Sequence, residues 1–111
     1  MVTGGDVARG EVWLANFDPT IGREIQKTRP CVIVSPNELN TTVRTLLVVP
    51  MTTKGWVTSF RVPVVFNGKD GLLVPDQMRS IDRRRLRKKL GALAADELET
   101  LLGVVRTIFE T

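Results

Sequence analysis

Seven of the sixteen Lys and Arg residues crowd between Arg79 and Lys89, and no histidine occurs anywhere in the 111-residue chain. That segment, with Asp82 as its one acid, carries a balance of +6; residues 1–78 carry +1 and residues 90–111 carry −3, for a net +4. Five of the seven bases are Arg, whose planar fork matches phosphate oxygens and stacks on bases, so the segment suits a polyanion such as RNA or DNA. The other reading is a solvated basic loop with no partner. Lys54 and Trp56 place a cation beside an aromatic face on which a base can stack. Trp56 has an equal alternative in an interface or core, whereas Trp13, inside an apolar run, reads as core. The missing imidazole removes His-based acid–base catalysis, Ser–His and Cys–His nucleophile pairs and His-ligated zinc. The single cysteine, Cys31, lies within Cys31-Val32-Ile33-Val34 and reads as a buried small hydrophobe rather than a thiol nucleophile.

Those side chains need a scaffold, and strand signals dominate the first three quarters of the chain. Val12–Phe17 is apolar and β-prone until Asp18-Pro19 breaks it. A polar loop, Thr20–Thr28, leads to a second strand, Pro30–Ser35, stopped by Pro36-Asn37. Leu46–Thr52 is the third, with Pro50 implying a sheet edge or a bend; Phe60–Phe66 is the fourth. Asn67-Gly68 and Gly71 supply the positive φ angles of a hairpin leading to a fifth strand, Gly71–Met78, which Met78–Ile81 continues past a kink. One helix follows: Leu98, Leu101, Leu102, Val105, Ile108 and Phe109 recur at spacings of three and four, with Asp96 and Glu99 as its capping pair. This stripe reads as helix-on-sheet packing. The length fits one domain, residues 1–111, with 1–8 as a disordered tail: a small curled antiparallel sheet or barrel closed by one helix. The longest apolar stretches, Leu46–Pro50 and Val62–Phe66, fall far short of the ~20 residues that span a bilayer. One cysteine forms no disulfide within the chain, and Met1–Gly10 lacks the apolar centre of a secretory signal, so a reducing, cytoplasmic setting is expected.

Three ordered segments then carry a resemblance: Arg9-Gly10-Glu11-Val12-Trp13 with Asp18-Pro19-Thr20 and Gly22; Thr28-Arg29-Pro30 opening an apolar strand; and Val49-Pro50-Met51-Thr52-Thr53. With Asp76-Gln77 and Arg79-Ser80-Ile81-Asp82 further on, they resemble the MazF/PemK (Kid) family of toxin endoribonucleases over nearly the whole chain. The resemblance implies an SH3-like barrel with a C-terminal helix, a homodimer, cleavage of single-stranded RNA at short sequences without metal or other cofactor, and a cognate antitoxin covering the RNA site. Promoter DNA is an expected partner only of the toxin–antitoxin complex. A non-catalytic SH3-like module binding nucleic acid or peptide is the rival reading.

Metal-free RNA cleavage uses the substrate's own 2′-hydroxyl, so the protein must accept its proton, stabilise the charged transition state and assist the departing 5′-oxygen. By resemblance Arg29 is the key cation, stabilising charge first and donating a proton second, and Thr52 is the hydroxyl that orients the scissile phosphate. Thr53, on the opposite face if both are extended, is weaker. Glu24 is the candidate base, with a solvated loop acid as its alternative; Asp76 competes, because one branch of the family uses the equivalent aspartate. In that branch the acid is an arginine two residues earlier, where Val74 stands here, and a histidine precedes the loop glutamate, where Arg23 stands. Arg23, Lys27, Thr53, Lys54, Trp56, Gln77, Arg79, Arg84, Arg85 and Arg87 are the expected RNA contacts.

Overall fold

The computed structural model describes residues 6–19 and 27–110. Seven strands and two helices run in the order β1 (Glu11–Asn16), β2 (Thr28–Ile33), α1 (Asn37–Thr42), β3 (Thr45–Thr52), β4 (Val62–Phe66), β5 (Lys69–Leu73), β6 (Arg79–Asp82), β7 (Leu86–Ala92) and α2 (Ala95–Glu110). Single turns of 3-10 helix at Pro75–Gln77 and Arg83–Arg85 flank β6. The strands form one antiparallel sheet in the order β4-β5-β3-β2-β1-β7, with β6 also paired to β3. This is the curled, mainly β architecture with a C-terminal helix that the strand spacing predicts.

Alternation along each strand feeds two cores, because successive side chains leave a strand on opposite faces. Trp13, Ala15, Phe17, Cys31, Ile33, Leu46, Val48 and Ile81 fill one. Val12, Val32, Val34, Val49, Met51, Val64 and Leu73 fill the other, under Leu98, Leu101, Leu102 and Val105 of α2. The helical stripe is therefore packing, as read, although Phe109 at its end is 71% exposed. Pro50 sits where the neighbour of β3 changes from β6, paired at Thr45–Val48, to β5, paired at Met51 and Thr52. Its missing N–H falls at that break, while its carbonyl accepts from the Val74 amide at 3.0 Å.

Several elements differ from those the sequence predicts. Asp96 and Glu99 do not cap α2: Glu97 accepts from the Ala94 amide at 3.0 Å, half of a capping box two residues earlier. Gly71 is an ordinary strand residue opposite Val64, so Asn67 (φ 50°) and Gly68 (φ 77°) alone make the tight turn between β4 and β5. Residues 79–82 are a separate strand paired with β3 rather than an extension of β5. The basic segment divides among β6, the 3-10 turn Arg83–Arg85 and a further strand, β7, added to β1 at the end of the sheet. Of the proposed tail, residues 1–5 lie outside the described residues, and Val7 is buried in the first core.

Candidate active site

β2 and β3 place the two main candidates side by side. β2 pairs with β1 so that Ala15 faces Arg29, and with β3 so that Cys31 faces Pro50. Carrying that second register on by two residues sets Arg29 across from Thr52, at the last residue of β3. Both side chains line one groove of about 280 Å³. The exposed side chain of Arg29 makes no hydrogen bond or ion pair with another described residue. Thr52 Oγ1 accepts from the Lys54 amide at 3.2 Å, which leaves its proton to donate. Thr53 lines the same groove, contrary to the expectation from an extended chain, because β3 has ended by that residue. The remaining lining includes Phe66, Asn67, Lys69 and Asp70 of the β4–β5 hairpin, which sequence reasoning passed over; the only cue was the turn signal itself.

Asp76 is elsewhere. Arg61 grips its carboxylate from Nε at 3.1 Å and Nη2 at 3.0 Å, in a second groove of about 570 Å³ that also holds Trp56, Phe60 and Ile108. Hydrogen bonding from Arg61 holds the Asp76 carboxyl below the usual range against the opposing effect of burial. Arg61 was not anticipated, since fifteen residues separate it from its partner. Trp56 is 83% exposed, which removes the core alternative, and Lys54 is exposed. Gln77 is half-buried in the turn after Val74, whose carbonyl its amide meets at 2.9 Å.

The arginines after Met78 are largely committed to the protein itself. Arg79 donates to the Phe17 carbonyl at 3.4 Å with its guanidinium 5.8 Å from the Phe17 ring centroid. Arg85 donates to the carbonyls of Asn16 and Asp18. Arg84 pairs with Asp82 at 3.1 Å and holds that carboxyl down at about 2, and Arg87 donates to the Arg84 carbonyl at 2.7 Å. Lys89 meets Glu11 at 2.7 Å. Arg83, 6% exposed, donates to the carbonyls of Asn40 and Val43 and so pins α1. Arg79 and Arg85 thus brace the chain just after β1, at Asn16–Asp18. Just before β2, Lys27 (φ 64°) donates its amide to Asp18 Oδ1 at 2.7 Å and accepts from the Phe17 amide at 2.8 Å. Arg23 and Glu24 lie outside the described residues.

Cys31, fully buried, is pushed up to about 12 by desolvation, so its thiol stays protonated and unreactive.

Residues 8–109 match the model of the PemK-like, MazF-like toxins of type II toxin–antitoxin systems. The chain is 37% identical over 109 residues to endoribonuclease PemK of Escherichia coli, covering 93% of this chain and 82% of that protein. Against the endoribonuclease toxin MazF of Escherichia coli K12 it is 33% identical over 100 residues, covering 89% and 90%. The structure of MazF from Deinococcus radiodurans superposes with a TM-score of 0.83 at 26% identity, over 95% of this chain and 97% of that one. A curled sheet with a C-terminal helix, an arginine and a threonine meeting on adjacent strands, and a family match over nearly the whole length agree: the chain belongs to the PemK-like, MazF-like family of toxins.

Proposed function

We propose that the chain is a sequence-specific toxin endoribonuclease that cuts single-stranded RNA, messenger RNA foremost, without a metal, and halts translation and growth until a cognate antitoxin neutralises it. The observation that carries this reading is the meeting of Arg29 and Thr52 in one open groove, in a chain whose PemK and MazF relatives are endoribonucleases. In the reaction the substrate 2′-oxygen bonds to phosphorus as the bond from phosphorus to the 5′-oxygen breaks, leaving a 2′,3′-cyclic phosphate and a 5′-hydroxyl. A carboxylate takes the 2′-hydroxyl proton, Arg29 balances the charge growing on the phosphoryl oxygens and supplies the proton for the departing oxygen, and Thr52 orients the scissile group.

Glu24 is the base this reading favours. Asp76 is the poorer acceptor because Arg61 already stabilises its ionised form, and it lines the other groove. The exposed apolar residues Trp56, Val57, Phe60 and Phe109 support a homodimer. A cytoplasmic site of action is part of the proposal; among the described residues no helix is long and apolar enough to cross a membrane. Binding to promoter DNA belongs to the complex with antitoxin.

Labelled single-stranded RNA incubated with the protein in excess chelator should yield fragments with 5′-hydroxyl ends. Intact RNA at every sequence tried, from folded protein, would sink the proposal. Arg29→Ala should abolish cleavage with the thermal midpoint near wild type; normal cutting by that variant would make Arg29 a strand anchor only.

A further inference from the structure

The wall of the groove facing Arg29 and Thr52 is the β4–β5 turn, and it has the make-up of a base-reading surface. Phe66 gives it an apolar face, next to the buried Met51 of β3, and Asn67, Lys69 and Asp70 give it polar edges. At about 280 Å³ the groove falls below the ~300–1,000 Å³ of pockets that enclose a whole drug-sized ligand, a size suited to one flat ring. The turn is stiff, since Asn67 and Gly68 form a two-residue connection closed by the Phe66–Lys69 pair. Two glycines pack closely against its apolar residues. A Cβ at Gly71 would meet Met51 Sδ at 3.0 Å, and one at Gly91 would meet Phe66 Cζ at 3.2 Å, so a side chain at either position would displace a residue that lines the groove. The exposed side chains of Lys69 and Asp70 make no ion pair or hydrogen bond with another described residue.

Ionised Asp70 only accepts hydrogen bonds, so it selects a ring edge that donates. Adenine, cytosine and guanine each carry an exocyclic amino group; the one donor on uracil's pairing edge, N3–H, lies between two carbonyl oxygens that a carboxylate repels. Unstacked bases of single-stranded RNA are read by this combination of a stacking face and an edge contact. We infer that the β4–β5 turn holds one nucleobase of the RNA, that Asp70 restricts this base to one with an exocyclic amino group, and that Lys69 contacts an adjoining phosphate. This rests on the groove being the RNA-cleaving site, and its test separates the two.

Isotope-labelled protein titrated with 2′-O-methyl hexaadenylate, hexacytidylate and hexauridylate, which lack the nucleophile and are not cut, should show amide shifts at Asn67–Gly71. Binding of the first two should be roughly fivefold or more tighter than binding of the third, a gap that Asp70→Asn should close to about twofold. Shifts confined to other residues, or a gap indifferent to Asp70→Asn, would overturn the inference whether or not the protein cuts RNA. Sequencing the 5′-hydroxyl ends of digested total RNA gives the second readout. Asp70→Asn should admit uracil at one position of the cleavage site, whereas Lys69→Ala should weaken cutting at all sites and flatten its salt dependence. An unchanged sequence preference in Asp70→Asn counts against the turn; failure of the wild type to cut counts against the nuclease reading alone.

Discussion

Arg61 and Asp76 bring a guanidinium and a carboxylate into a two-pronged contact from elements fifteen residues apart. Because the folded-state pKa of Asp76 is lowered, the unfolded chain binds more protons in acid, so the contact stabilises the fold above the ordinary carboxylate pKa and that contribution is lost as pH falls below it. Asp82, held at about 2 by Arg84, acts in the same direction between about pH 4 and pH 2. Thermal midpoints should therefore be flat from neutral pH to about pH 5 and fall below about pH 4, with a shallower fall in Asp76→Asn. An equal acid limb in that variant would remove Asp76 from the account. The loss at neutral pH should stay under about 1 kcal/mol, since the carboxylate is 43% exposed. Thr52→Val keeps the shape of the threonine and loses its donor, and should cut RNA ~10² to 10³ more slowly in single-turnover assays, less than the loss in Arg29→Ala. A rate within a few-fold of wild type would show that the hydroxyl does not act on the phosphate.

Among the elements, the strands with strong apolar runs are visible in composition and the others are not. β2 and β3 stand out because they are buried from both faces, and the β4–β5 hairpin because Asn-Gly allows few other conformations. β7 hides behind Arg87, Lys88 and Lys89: its strand character comes from pairing with β1, and charges on a terminal strand guard it against pairing with other chains. α1 is six residues long, too short for a helical period, and it is held from more than forty residues away by Arg83. Similarly, no spacing rule brings Arg29, Thr52 and Asp70 to one groove; the first two were legible only through family resemblance, and Asp70 not at all. Arg83→Met should leave the buried carbonyl of Asn40 and the partly buried one of Val43 without their charged donor and cost on the order of 2 kcal/mol in urea unfolding, with α1 amides exchanging faster. A loss under about 1 kcal/mol would mean that α1 holds itself.

At the scale of the whole molecule, some of the largest exposed apolar residues lie at the larger groove, and water is a poor neighbour for them. Trp56 and Phe60 line that groove with Ile108, and Phe109 follows at the end of α2. Covering such a surface is a common reason for a chain to associate with a second copy. Light scattering should give twice the chain mass at micromolar concentration, and Trp56→Ser should raise the dissociation constant at least about tenfold. A monomeric wild type would refute the dimer, and a dimer untouched by Trp56→Ser would move the interface to another face.

Cys31 is two residues from Arg29 on the same strand and is the chain's one thiol, fully buried and protonated. It is consequently a built-in clock for opening of the barrel. An alkylating reagent can reach the sulfur only when β2 parts from its neighbours, so the labelling rate reports the population of that open state without any introduced probe. A partner bound to the closed form alone should slow labelling in proportion to its occupancy. Binding of the proposed antitoxin and the proposed dimerisation can therefore be timed at one sulfur atom beside the proposed active site, with every other residue left native.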